Sequence, residues 1–236
     1  MKILLIKPPL NSNLSYTTTT MYEPLELEYI AAAVDEYKVD IFDMRIEKDL
    51  IKKLRAFKPD VVGTTAYTCD VKTVKRILKE IKLYDNNIKT VIGGHHATFV
   101  PQDFAEPFID TIFIGYADKS FKDYIDILAN GGDIRSVNNA DFVENGGIFF
   151  TEQHPINVDL DSLPMPARNL TQKYSRKYHD SLRNKLALVM TSRGCPFRCT
   201  FCACWKLMNG KYATRNVDSI INELKTLPDF VDLVYF

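Results

Sequence analysis

The chain has 236 residues, with 30 basic and 30 acidic side chains and a formal charge of zero. That balance lacks the basic excess of a nucleic-acid binder. The apolar run Ile3 to Ile6 is too short for a signal peptide or a membrane span, so the protein is expected in the cytoplasm, with no nucleic-acid or membrane partner. Five cysteines, an odd number with three close together, suit a reducing compartment and metal ligation better than a disulfide framework.

In chain order, short apolar runs predict strands at Ile3 to Ile6, Val39 to Phe42, Val61 to Gly63, Thr90 to Ile92 and Thr111 to Ile114. Between them, apolar residues recur at helical spacing: Leu27, Ile30, Ala31 and Val34; then Val71, Val74, Leu78 and Ile81; then Phe121, Tyr124, Ile125 and Leu128. Strands alternating with helices predict a parallel sheet covered on both faces. Five strands predict a flavodoxin-like (Rossmann-like) α/β domain of order 2-1-3-4-5, with ligands at the C-terminal strand ends near the switch point.

Small and polar residues collect at those ends. Lys7-Pro8-Pro9 and a polar loop through Tyr16 to Thr20 follow the first strand, and Thr64-Thr65-Ala66-Tyr67 follows the third. Gly93-Gly94-His95-His96-Ala97-Thr98 follows the fourth and Gly115-Tyr116 the fifth. A glycine pair lets backbone approach a flat or bulky ligand, and hydroxyls hydrogen-bond its polar tail. Against this stand the structural readings: a tight turn for Gly93 and Gly94, local backbone satisfaction for Thr64 and Thr65, and a satisfied polar group for each of His95, His96, His154 and His179. Cys69 reads most simply as a small buried apolar side chain, and the lysine-rich helix 72–82 as a solvated face.

A connector spans 134–185. Glu144-Asn145-Gly146-Gly147, between Phe142-Val143 and Ile148 to Phe150, predicts a β-hairpin. Asp159 to Arg168 reads as a proline-bounded linker. Leu186 to Met190 is a short apolar run of strand length, followed by Cys195, Cys199 and Cys202 in CxxxCxxC spacing. An iron–sulfur cube takes four thiolates, so three on one loop leave one iron open. Val217, Ile220, Ile221 and Leu224 then predict an amphipathic helix, and Val231 to Phe236 a second strand. A zinc site built from the three cysteines plus Cys204 is the competing reading.

The segment Met190-Thr191-Ser192-Arg193-Gly194-Cys195-Pro196, with Phe201 before Cys202, resembles the cluster loop of the radical S-adenosylmethionine (SAM) enzymes. The resemblance implies a 4Fe-4S cluster on Cys195, Cys199 and Cys202, SAM at the open iron with Phe201 near its adenine, and a low-potential electron donor such as a flavodoxin or ferredoxin. Pro24 to Ala33, Thr64 to Ala66 and Gly93-Gly94-His95 with Pro101 resemble the cobalamin-binding domain that precedes the cluster domain in a subgroup of this family. Twenty-six residues separate Ala66 from Gly93, as in those domains. The position of an axial-histidine motif falls on Thr17 to Tyr22, with Thr19 at the histidine, so cobalamin is expected base-off without a histidine ligand. Gly115-Tyr116-Ala117-Asp118 departs from the subgroup's Gly-Glu-Gly-Glu.

The implied cobalamin contacts are Pro9, Thr64, Thr65, Gly93, Gly94, His95, Thr98 and Gly115; no catalytic residue is assigned. The implied organisation is a cobalamin-binding domain over 1–133, the connector over 134–185, and over 186–236 the opening of a partial (β/α)6 radical SAM barrel, truncated and not expected to be active alone. The implied activity is methyl transfer to a small-molecule or peptide substrate. Cyclisation or rearrangement by the same two domains, a degenerate cobalamin domain serving for partner docking, an inactive cofactor-binding fragment and a zinc-binding interaction protein stay open as alternatives.

Overall fold

The computed structural model describes residues 1–9, 19–144, 146–153 and 159–236. His154, Asn145 of the expected hairpin turn, and Tyr16, Thr17 and Thr18 of the polar loop lie outside the described residues. Contacts divide the chain into two units, Met1–Leu10 with Ala33–His154 and Asn11–Ala32 with Pro155–Phe236. Among the described residues no helix is long and apolar enough to cross a membrane.

The first strand, β1 (Lys2–Lys7), is followed by helix α1 (Leu25–Ala32), which groups with the second unit. The first unit continues through β2 (Lys38–Asp43), α2 (Leu50–Phe57), β3 (Val61–Thr65), α3 (Val71–Tyr84), β4 (Lys89–Gly93), the short helix α4 (His95–Phe99), β5 (Thr111–Phe113) and α5 (Asp118–Asn130). A hairpin, β6 (Ala140–Glu144) and β7 (Gly147–Phe149), follows. The sheet order is β2-β1-β3-β4-β5-β6-β7. The first five strands run parallel in the expected 2-1-3-4-5 order, with Ile3 opposite both Val39 and Val61. The hairpin forms as the glycine turn predicts, and its β6 adds antiparallel to β5, with Ile112 opposite Asp141.

Ile3, Leu4, Leu5 and Ile6 in β1 are all fully buried, the signature of a central parallel strand covered on both faces. Leu4, Ile6, Val62, Ile92 and Ile112 join Leu54 of α2 and Val74, Leu78 and Ile81 of α3 in one apolar cluster. On the other face, the Phe113 ring meets Phe121 and Tyr124 of α5 edge-on, with centroids 5.5 Å and 5.6 Å away. Each buried aliphatic or aromatic side chain contributes roughly 1.5–3 kcal/mol, so alternate residues of each strand anchor helices on opposite sides. Asp49 caps α2 by accepting from the Lys52 amide, and Gly131, at φ 71°, closes α5 in the left-handed region.

In the second unit, β8 (Leu186–Leu188) leads into a two-stranded antiparallel ribbon, β9 (Ser192–Gly194) with β10 (Tyr212–Thr214), whose loop carries the cysteines and the one-turn helix α6 (Cys204–Leu207). Helix α7 (Val217–Leu224) and strand β11 (Leu233–Tyr235) follow, and β11 pairs parallel with β8. The expected order of strand, cysteine loop, helix and strand is present. It makes one β-α-β unit, which is short of a barrel. Helix α7 forms where its spacing predicts, yet Val217 is 69% and Ile221 41% exposed while Glu223 is 0% exposed. A buried carboxylate displaces the apolar stripe as this helix's inward anchor, because two arginines meet it there.

Candidate cofactor-binding rim and cysteine loop

In the first unit, the C-terminal ends of β1, β3, β4 and β5 are tied together by hydrogen bonds among the residues expected to contact a ligand. Thr64 donates from Oγ1 to the Ile6 carbonyl at 3.0 Å, so its hydroxyl joins β3 to the end of β1. The Ala66 amide donates to the Gly93 carbonyl, and the His96 amide to the Ala66 carbonyl. Thr98 donates from Oγ1 to the Gly94 carbonyl at 2.9 Å and accepts from the Gly115 amide at 2.9 Å. One hydroxyl thus couples the loops after β4 and β5.

Gly94 has φ 94° and ψ −176°, a region essentially reserved for glycine. Its neighbour Gly93 has room: a Cβ there meets nothing closer than Phe113 at 3.6 Å. Gly94 therefore serves close packing of the strand ends, whereas Gly93 presents backbone without a steric demand of its own. His95 and Tyr67 stack, with centroids 5.1 Å apart and ring planes 22° apart, and Tyr67 is 49% exposed. The Lys7 ammonium lies 5.9 Å from the Tyr67 centroid. His96, by contrast, is buried between Thr68 (Nδ1 to Oγ1, 3.1 Å) and Asp103 (Nε2 to Oδ2, 2.7 Å) and packs edge-on against Phe104. Of the adjacent histidines, His96 is structural and His95 belongs to an accessible aromatic surface. That surface beside unencumbered glycine backbone suits a flat, extended ligand, whose faces are apolar and whose edges are polar.

In the second unit, the cysteine loop is closed at its base by the β9–β10 ribbon. Gly194, at φ 82°, makes the closure possible, because a Cβ there would stand 2.2 Å from the Lys211 carbonyl oxygen. Cys195 and Cys202 are half-buried and Cys199 is exposed; all are free thiols. Inside the loop, the Cys202 amide and the Trp205 indole both donate to the Cys199 carbonyl. A hydrogen bond with Cys202, then burial, pushes the Cys204 thiol pKa up, with further contributions from the charges of Cys202 and Cys195. Among the described residues no three histidine, cysteine or acidic side chains are arranged to hold a metal ion. The donor chemistry of the loop still fits an iron–sulfur cluster: three thiols free of disulfides within eight residues, on a segment whose ends are pinned. Phe201 is 91% exposed on the same loop.

The strand feeding this loop rests on charged residues that the sequence reading passed over. Glu23 accepts from the Leu188 amide, and Arg168 donates to the Leu188 carbonyl. Glu28 accepts from the Thr171 hydroxyl, and burial, reinforced by the charge of Glu23, pushes its pKa up to about 8. Arg168 lies 2.8 Å from Glu223, which also pairs with Arg215. The linker over 159–168 does more than join segments: its Asp161 accepts from the Asn216 amide at the start of α7, and its Arg168 is part of this network. The sequence signal was slight: Glu28 within α1 and Glu223 within α7, each beside apolar neighbours.

Residues 16–125 match the B12 binding domain family. The chain is 34% identical to an uncharacterized methyltransferase of Pyrococcus horikoshii, over 96% of this chain and 50% of that protein. It is 27% identical to the anaerobic magnesium-protoporphyrin IX monomethyl ester cyclase of Rubrivivax gelatinosus, over 100% of this chain and 44% of the cyclase. The fold is also that of OxsB, a cobalamin-dependent S-adenosylmethionine radical enzyme solved with aqua-cobalamin and SAM bound: the TM-score is 0.78 at 20% identity, over 95% of this chain and 31% of that one. The chain thus spans half or less of the length of these relatives. With the B12 binding match over the flavodoxin-like sheet, the CxxxCxxC loop after it and relatives that match nearly the whole chain, the chain is similar to the N-terminal portion of proteins that carry a B12-binding domain, and its fold is that of cobalamin-dependent radical SAM enzymes.

Proposed function

We propose that the protein is a cobalamin-dependent radical SAM methyltransferase acting on a small-molecule or peptide substrate in the cytoplasm, with electrons from a low-potential flavodoxin or ferredoxin. The observation that carries this reading is the succession, in one chain, of a sheet matching the B12 binding domain and a three-cysteine loop on its own pinned ribbon. When bound, cobalamin supplies a carrier for the methyl group, and the 4Fe-4S cluster with SAM supplies the radical that activates the substrate carbon.

The chain's own residues hold and orient. Cys195, Cys199 and Cys202 hold the cluster, and Phe201, being exposed, borders the adenine of SAM. Gly93, the His95–Tyr67 stack, Pro9 and Gly115 border the corrin. Thr64, Thr65, Gly94 and Thr98 shape the rim, since the Thr64 and Thr98 hydroxyls are already engaged with backbone. Thr19 stands where an axial histidine would fall, so cobalamin would be held here base-off and without a histidine ligand. Cyclisation or rearrangement is the second reading, supported by the similarity to the magnesium-protoporphyrin cyclase.

Anaerobic reconstitution of the encoded protein with iron, sulfide and hydroxocobalamin tests the reading. Retained corrinoid absorption, about four iron and four sulfide per chain, and a cobalt(II) EPR spectrum without nitrogen superhyperfine splitting are expected. Zinc without sulfide would reject the cluster, and absence of retained corrinoid would reject the cobalamin assignment. Methylated against cyclised product, with SAM and a low-potential reductant, separates the two activities.

A further inference from the structure

The two stretches of backbone immediately ahead of the cysteine loop are gripped by one continuous buried ion network. Leu188, the last residue of β8, has its amide held by Glu23 and its carbonyl by Arg168. Two residues on, the Met190 carbonyl accepts from Arg215 at 3.0 Å, and the Thr191 carbonyl accepts from the Arg215 amide at 2.9 Å. Glu223 joins the two grips, paired with Arg168 through one oxygen and with Arg215 through the other. Arg215 is fixed further by donating to the Ser219 hydroxyl at 2.9 Å and the Tyr29 hydroxyl at 3.3 Å. Glu223 is 0%, Arg215 8% and Glu23 8% exposed.

Burying this many charges costs several kcal/mol of desolvation each, so the network is a poor device for stability alone. What it delivers is direction. Charge-assisted hydrogen bonds are short and directional, and here Glu23, Arg168 and Arg215 each make one to a backbone group within four residues of β9, the strand that leads into Cys195.

We propose that Glu23, Arg168, Glu223 and Arg215 are positioning residues for the cysteine loop. They act through the Leu188, Met190 and Thr191 backbone to set the angle at which the three thiolates, and the iron they leave open, face SAM. The proposal rests on the assignment of Cys195, Cys199 and Cys202 as cluster ligands. None of the four touches a thiol, so they influence cluster and SAM in the way outer-shell partners orient inner ligands.

The experiment is anaerobic reconstitution of wild type, Arg215→Met, Arg215→Lys and, as a control, Glu28→Gln, which lies in the same buried region without a hydrogen bond to these backbone groups. Iron content, the EPR spectrum of the reduced cluster, its change on titration with SAM, and the thermal unfolding midpoint are read for each. Arg215→Met is expected to keep iron near the wild-type value and to require ~10-fold more SAM for the spectral change. Arg215→Lys should recover part of that loss, and Glu28→Gln should match wild type in iron content and in the SAM titration. Unchanged SAM titration in Arg215→Met overturns the proposal, as does failure of both arginine variants to fold, which would make the network a core element. Absence of a cluster in wild type would overturn the ligand assignment itself, an outcome distinct from either.

Discussion

A Cβ placed on Gly94 would stand 2.3 Å from the Thr65 hydroxyl oxygen and 3.0 Å from the Ala66 nitrogen. The loop after β4 is folded onto the end of β3 with no space for a side chain, and the backbone of Gly94 is in a region that other residues hardly enter. Gly94→Ala combines that backbone cost with overpacking and is expected to destabilise the first unit by roughly 3 kcal/mol or more. Gly93→Ala meets only ordinary contacts and should leave the unfolding midpoint nearly unchanged. If the corrin approaches the Gly93 backbone, this variant weakens corrinoid retention instead. Thermal unfolding and retained corrinoid absorbance, measured together, separate the two glycines.

The neighbouring histidines should also part company. His96 is buried, bonded at both ring nitrogens and packed on Phe104, so His96→Ala is expected to cost about 1–3 kcal/mol in urea unfolding. His95→Ala removes one ring of an accessible stack and should cost far less. Its effect is expected in the affinity for hydroxocobalamin. Equal stability losses in the two variants would refute this division.

Glu28 predicts a pH dependence. Its folded pKa is pushed up to about 8, by burial first and the Glu23 charge second, while the Thr171 hydroxyl and Arg168 pull it down. A carboxyl in the unfolded chain titrates near its ordinary value of about 4.3. The folded state therefore holds the proton more tightly, so stability is full below the unfolded value, declines as pH rises toward about 8, and levels off above it. The decline is at most about 5 kcal/mol. Glu28→Gln should flatten it, leaving the smaller slope due to Glu23, whose pKa burial also raises. Urea midpoints from about pH 5 to about pH 9 provide the check; an unchanged slope would mean that Glu28 is not the responsible group.

The cysteines allow a direct discrimination. Cys204 shares a hydrogen bond with Cys202 and so is the natural fourth ligand if the loop held zinc. Under the cluster assignment, Cys195→Ser, Cys199→Ser and Cys202→Ser each lose most of the iron after reconstitution, and Cys204→Ser keeps it. Loss of metal in Cys204→Ser to the same extent would favour four-thiolate zinc.

The five parallel strands, their order and helices α3, α5 and α7 were legible in the sequence because each is written in contiguous residues. A short β-rich apolar run has to be a buried strand, and apolar residues three and four apart have to share a helix face. The CxxxCxxC loop was legible for the same local reason. What tertiary structure alone decided joins residues far apart in the chain. Glu23 reaches the Leu188 amide across 165 positions, and Thr171 reaches Glu28 across 143. No periodicity records such pairs, so the partners of the buried charges under the cluster strand were not legible in the sequence. Tertiary packing likewise engaged the Thr64 and Thr98 hydroxyls with backbone, added β6 and β7 to the parallel sheet, and turned Glu223 inward while leaving Val217 exposed. A local pattern specifies which backbone state a segment adopts; only the assembled fold decides where a buried charge or hydroxyl finds its partner, because leaving it without one would cost more than most single apolar contacts contribute.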